Sequence, residues 1–260
     1  MERIDAMKSY GQSWYSLNGM KSRVAQWCPA DHEQRFDANM ADPAQRALLE
    51  EYGWTRDNVS YTFNKHGFRS EEFTFEPSDS VLFLGCSHTV GIGVDLESSW
   101  AYKVASSLGL RRYNLAVGAS SADTCFRLAH YWIPRLRPKY VMMLTPNAAR
   151  LEIIEDRDIL QLIPQMLELS QKIYVMDLVD KFYKPWLSHP ANAEMNRLKN
   201  VMGVQTICNS IGVPLVEIPI DDMYDPTLVL TKARDLMHPG REWNEHVTQT
   251  FLKKLSDLTI

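Results

Sequence analysis

Residues 81–94 read VLFLGCSHTVGIGV, and everything else in the chain is organised around them. Four apolar residues stop at Gly85. Cys86, Ser87, His88 and Thr89 follow, and then the spaced pair Gly91 and Gly93. An apolar run ending in a glycine turn reads as a buried strand reaching its carboxyl end. In open α/β sheets ligands bind beyond those ends. Ser87 therefore stands where a nucleophile is useful. Far downstream, Asp235-Leu236-Met237-His238-Pro239-Gly240 sets an acid and a base three residues apart. The two stretches together suggest a serine hydrolase.

From Val81 onward, strand and helix patterns alternate. Val81–Leu84 is the first expected strand. Glu97–Leu108 is a helix with Trp100, Val104 and Leu108 on one face and Gly109 as its stop. Arg112–Val117 is the second strand. Ala122–Ile133 is a helix with Cys125, Leu128, Ala129 and Trp132 on one face, ended by Pro134. Tyr140–Leu144 is a third strand, apolar throughout, as a strand covered on both faces should be. A helix is expected near Asp158–Leu169, a fourth strand at Lys172–Met176, a long helix over Glu194–Ile211 and a fifth strand at Val213–Ile218. Trp243, Val247, Phe251 and Leu255 stripe the last helix. This alternation implies a parallel sheet with helices on both faces.

Residues 1–78 differ in character and read as an N-terminal extension packed on a main domain of residues 79–260. A helix is expected around Pro43–Tyr52 and a strand at Val59–Phe63. Asn64–Gly67 then forms a turn. Trp14, Tyr15, Trp27 and Trp54 suit stacking on sugar rings, or, more plainly, a hydrophobic clamp that holds the extension down.

The chain of 260 residues is 45% hydrophobic, enough for a real core, and its net charge of −4 gives no reason to expect a nucleic-acid surface. No apolar run approaches the roughly 18–20 residues of a membrane span, and the N-terminus lacks an apolar signal core. The four cysteines are scattered and form no CxxC pair. They read as reduced thiols of an intracellular protein. The remaining histidines show no short metal-ligand spacing, so no metal or cofactor is expected. The expected partner is a small-molecule or carbohydrate ester.

Each chemical motif has a plain alternative. A serine hydroxyl needs a base and a preformed oxyanion site, yet Ser87 or Thr89 also suits a turn cap. Asp235 can fix the tautomer of His238 and stabilise its imidazolium, but the same hexapeptide suits an ordinary loop leading into a proline-initiated helix. Small residues in Asn114–Thr124 (NLAVGASSADT) let backbone amides approach a ligand. Asn147, after the third strand, can aim its amide at an oxyanion or serve as a turn residue beside Pro146. Cys86 with His88 is a further nucleophile–base pair. It is disfavoured because residues i and i+2 on a tight turn point apart. In a parallel sheet all the strand ends lie on one edge, which brings these sites together. GCSHT is not the G-x-S-x-G elbow of α/β-hydrolases.

This order of serine, glycine-containing loop, asparagine and Asp-x-x-His-Pro-Gly resembles the SGNH (GDSL-like) hydrolase family over Val81 to Leu255. Asn64-Lys65-His66-Gly67-Phe68-Arg69 looks like the lead-in found in one branch of that family, and Gly91–Val94 with Glu97–Trp100 fits the same branch. The resemblance implies an α/β/α three-layer sandwich with a flavodoxin-like, five-stranded parallel sheet. It implies ester hydrolysis through an acyl-enzyme, with Ser87 as nucleophile, His238 as base and Asp235 as its orienting carboxylate. The oxyanion donors it implies are the N–H of Ser87, the N–H of Gly118 or Ala119, and the Asn147 amide. Three departures stand out. The usual Gly-Asp-Ser is Gly85-Cys86-Ser87. The second block reads Gly118-Ala119, where alanine is tolerated only at negative φ. The third reads Thr145-Pro146-Asn147-Ala148. An acyltransferase on this scaffold, or a binding module that has kept the fold, are the alternative functions.

Overall fold

Val81–Leu84 is apolar and wholly buried, so both faces of that strand must be covered. In the computed structural model, which describes residues 14–75, 79–155, 158–167, 177–225 and 231–258, helices cover it from both sides. The strands are β1 (Val24–Ala25), β2 (Tyr61–Thr62), β3 (Ser80–Leu84), β4 (Arg111–Asn114), β5 (Tyr140–Thr145), β6 (Leu151–Glu155), β7 (Asp158–Leu162) and β8 (Leu215–Pro219). The α-helices are α1 (Glu33–Ala41), α2 (Pro43–Glu51), α3 (Ser87–Val90), α4 (Trp100–Leu108), α5 (Ala122–Leu136), α6 (Lys184–Leu187), α7 (Pro190–Ser210) and α8 (Arg241–Leu258).

The central sheet is parallel, in the order β4-β3-β5-β8. Period-two alternation divides its side chains between two cores. Leu82, Leu84, Val141 and Met143 pack with Leu128 and Trp132 of α5 and with Val204 and Cys208 of α7. Val81, Phe83, Met142 and Leu144 pack with Trp100 and Val104 of α4 and with Trp243 and Phe251 of α8. Trp100 stacks on Phe251 at 4.6 Å between ring centroids. Each such side chain contributes about 1.5–3 kcal/mol on burial. The result is the expected α/β/α sandwich.

Several elements differ from expectation. The sheet has four strands among the described residues. The fifth expected strand, Lys172–Met176, lies outside them, and β5 pairs directly with β8. The helix expected near Asp158–Leu169 is not formed. β6 and β7 pair antiparallel there, and a 3₁₀ turn, Pro164–Leu167, follows. A short apolar run carries no reliable period, and the isoleucines of both segments suit strands. The helix expected to stop at Pro134 continues to Leu136, with the proline in its last turn.

Residues before β3 are folded onto the sandwich. Asp42 closes α1 and opens α2, its carboxylate accepting from the N–H groups of Ala44 at 2.8 Å and Gln45 at 3.0 Å, with Pro43 next to it at the helix start. One core joins Phe36, Leu49, Trp54, Val59 and Tyr61 of this region to Val90, Ile92, Val94 and Ala233. The aromatic residues of the extension thus act as the clamp, with Trp54 and Tyr15 buried. All four cysteines are buried and free. Among the described residues, no helix is long and apolar enough to cross a membrane.

Candidate active site

β3 ends at Leu84, and the chain turns through Gly85 into α3, whose first residue is Ser87. The turn is too tight for a side chain at Gly85, where a Cβ would come within 2.2 Å of Thr89 Oγ1. The serine hydroxyl is left facing the loop between β8 and α8. In that loop Asp235 folds back on the chain after it. Its Oδ1 accepts from the N–H groups of Met237 at 3.0 Å and His238 at 2.9 Å, the turn that aspartate favours.

The remaining contacts form one chain. Asp235 Oδ2 lies 2.5 Å from His238 Nδ1, and His238 Nε2 lies 2.8 Å from Ser87 Oγ. A carboxylate only accepts, so Nδ1 carries the ring proton and Nε2 presents its lone pair to the Ser87 hydroxyl. Asp235 is buried, which by itself pushes its carboxyl up. The hydrogen bond and charge of His238 and the two backbone N–H groups outweigh this and hold it below the usual carboxylate range.

The two loops are fastened to each other. Arg234 N–H donates to Gly93 O at 2.9 Å, and a Cβ at Gly93 would lie 2.8 Å from Ala233 Cβ. The extension supplies further fastening. Arg69 donates to the carbonyls of Gly91 at 2.5 Å and Val94 at 3.1 Å, in the loop after the nucleophile. Asp31 receives the wholly buried Arg234 guanidinium at 2.7 Å, one residue before Asp235.

The expected oxyanion groups are placed less uniformly. Ser87 N–H opens a helical turn, where backbone donors have no partner within the helix. The Gly118–Ala119 segment follows Val117, whose N–H donates to Gly85 O at 3.2 Å, and Ser120 Oγ donates to the same carbonyl at 2.9 Å. That segment is thereby tied to the nucleophile turn. Ala119 has φ of +61°, the strained case for alanine, whereas Gly118 is not in the positive-φ region. Asn147 lies just beyond β5, and its amide donates to Asp221 Oδ1 at 2.9 Å while its Oδ1 accepts from Ala149 N–H at 2.9 Å. An amide nitrogen carries two hydrogens, so one donor remains.

The structure also brings in Tyr224, which the sequence did not single out. It does so through His88. The His88 ring centroid is 5.3 Å from that of His238, and its Nε2 shares a 2.6 Å hydrogen bond with the Tyr224 hydroxyl. Burial, with His238 and Arg150 nearby, pushes the His88 imidazole well below its ordinary value, and burial pushes the Tyr224 phenol up to about 12. Both stay neutral beside the triad. The expectation that Cys86 and His88 point apart was wrong. Sγ and Nδ1 are 3.5 Å apart. The thiol is nevertheless wholly buried within the α4–α8 core. Nothing in the spacing of these residues signals the Tyr224 contact, which joins positions 136 apart in sequence. Among the described residues, no cluster of three or more His, Cys, Asp or Glu is arranged to hold a metal.

No family model and no curated protein matches this chain. Solved structures do. The crystal structure of TesA is 11% identical, with 69% of this chain and 99% of that one covered at a TM-score of 0.43. A psychrotrophic esterase, EstA, from Pseudoalteromonas sp., inhibited by monoethylphosphonate, is 12% identical, with 70% and 98% covered at 0.37. An acetyl xylan esterase, Est2A, from the rumen bacterium Butyrivibrio proteoclasticus is 12% identical, with 72% and 65% covered at 0.37. At such identities and TM-scores, the chemistry rests on the geometry of the site alone.

Proposed function

We propose that this protein is a serine hydrolase that cleaves a small ester through an acyl-enzyme. The observation that supports it is the unbroken line from Asp235 through His238 to Ser87, with hydrogen bonds of 2.5 and 2.8 Å. His238 Nε2 takes the Ser87 proton as Oγ attacks the ester carbonyl. Asp235 stabilises the imidazolium that forms. The negative charge gathers on the former carbonyl oxygen. It is met by Ser87 N–H, by an N–H from Gly118 or Ala119, and by the second hydrogen of the Asn147 amide. As the intermediate collapses, the C–O bond to the alcohol breaks and His238 gives its proton to the leaving oxygen. Water then attacks the acyl-enzyme by the same steps, releasing the acid and restoring Ser87.

Turnover of 4-nitrophenyl acetate tests this reading. Ser87→Ala and His238→Ala should abolish it. Asn147→Ala should lower kcat by about 10²–10³, the usual cost of one oxyanion donor. Full activity in Ser87→Ala would overturn the proposal.

A further inference from the structure

Arginine is a demanding residue to bury, because its five N–H donors each need an acceptor. Three enclosed arginines meet much of that demand, while a fourth, Arg112, donates to Arg69 O at 2.6 Å. Arg69 donates to four backbone carbonyls. Arg234 has the Asp31 carboxylate and the carbonyls of Gln26, Arg56 and Val59. Arg127 pairs with Glu152 and also reaches the Trp14 carbonyl. Arg150 is held less closely than any of these four. It is half-buried, it forms no ion pair among the described residues, and its guanidinium makes one long contact, 3.4 Å to Ser120 O.

The position of Arg150 gives this its meaning. It lies on the turn that begins at Asn147, and its backbone N–H donates to Asn147 O at 3.1 Å. Its side chain crosses to the loop carrying Gly118 and Ala119, touching the residue just after them. The Tyr183 hydroxyl donates to Ala149 O and holds the turn from the other side. Arg150 therefore bridges two of the three segments expected to supply oxyanion donors. Its charge is felt at His88, as is that of Lys232, another half-buried cation with no ion pair among the described residues. The nearby carboxylate, Asp221, is engaged by the Asn147 amide.

We infer that the ester taken by this site carries an anionic group, a carboxylate or a phosphate, and that the Arg150 guanidinium binds it. This rests on the reading of Ser87 as the nucleophile only in making the ligand an ester. A guanidinium matches two oxygens of either anion at once, and such charge-assisted bonds are stronger than neutral ones. A neutral ester would leave the guanidinium of half-buried Arg150 to water alone. The arginine thus acts in substrate selection, while the triad supplies the chemistry.

Calorimetric binding to Ser87→Ala protein, which lacks the proposed nucleophile, separates this claim from the catalytic one. Two matched pairs of esters serve as probes. Monomethyl glutarate against dimethyl glutarate places a carboxylate on the acyl side. O-acetylglycerol 3-phosphate against O-acetylglycerol places a phosphate on the alcohol side. The anionic member of at least one pair should bind about 10-fold or more tightly than its neutral partner. Which pair responds identifies the anion and its side. Adding Arg150→Gln should bring that ratio close to one, and Arg150→Lys should leave it in between, since lysine keeps the charge and loses the planar fork. Equal binding within both pairs, no binding by either anion at millimolar concentration, or a preference that survives Arg150→Gln would each overturn the inference. If Arg150→Gln does not fold, Arg150→Lys and the ratios themselves still decide. Loss of labelling at Ser87 by a neutral fluorophosphonate would count against the nucleophile and leave these ratios readable.

Discussion

Ala119 sits at φ of +61°, where an alanine Cβ crowds the following carbonyl. A non-glycine residue kept there costs on the order of 1 kcal/mol or more. Gly118, which precedes it, has no positive φ, and a Cβ built there meets nothing within 4 Å. The flexible residue and the strained position are thus one apart. Ala119→Gly should stabilise the protein by roughly 0.5–1 kcal/mol, read from the urea midpoint, because relief of strain exceeds the added freedom of the unfolded chain. A lower midpoint would show that the loop is not strained. The alignment of Ser87, His238 and Asp235 was legible in sequence. Asp-x-x-His-Pro-Gly and a serine after an apolar run each imply their local geometry. The conformation of Ala119 was legible only as a conditional, because one-dimensional sequence does not give the sign of φ.

At the scale of elements, the hairpin β6–β7 was read as a helix. Its identity is fixed by what lies beneath it more than by its own pattern. Glu152 of β6 pairs with Arg127 of α5 at 2.6 Å and also receives the Thr124 hydroxyl at 2.6 Å and the Gln161 amide at 2.8 Å. Burial pushes the Glu152 carboxyl up. Arg127 and these hydrogen bonds outweigh it and hold it below the usual range. These contacts span up to 28 positions in sequence, so no local window contains them. Removing one partner of a buried pair leaves the other charge uncompensated, at a cost of about 3–5 kcal/mol. Glu152→Ala should therefore loosen the hairpin. Hydrogen exchange at Ile153 and Leu160 should accelerate, while the central strands stay protected. Unchanged exchange in the hairpin would mean that apolar packing alone holds it. The parallel strands were easier to read, since burial on both faces leaves an unbroken apolar run in β3 and β5.

Across the whole molecule, the N-terminal region is part of the machinery that holds the site. Trp54 donates to Lys232 O at 2.7 Å, Arg241 stacks on the Trp54 ring at 3.9 Å, and Asp31 neutralises Arg234 beside Asp235. The Tyr61 hydroxyl donates to the same Asp31 at 2.6 Å and accepts from Gly93 N–H at 2.8 Å. One carboxylate of the extension is thereby linked to the loops that carry Ser87 and Asp235. Asp31→Ala should cost about 3–5 kcal/mol in a urea denaturation series. It should also lower kcat on a neutral ester more than a distant core substitution of equal cost, because Arg234 adjoins Asp235. An equal effect on kcat would reduce Asp31 to a purely structural role. The sequence pointed to a packed extension but not to this linkage, which pairs positions 203 apart.

The central claim is that Ser87 is an activated nucleophile. The most direct measurement is treatment of the purified protein with a neutral fluorophosphonate, followed by peptide mass spectrometry. The account predicts one phosphonyl adduct, on Ser87, absent in Ser87→Ala and strongly slowed in His238→Ala. A folded protein that takes no adduct at Ser87, or carries one elsewhere that survives Ser87→Ala, would contradict it.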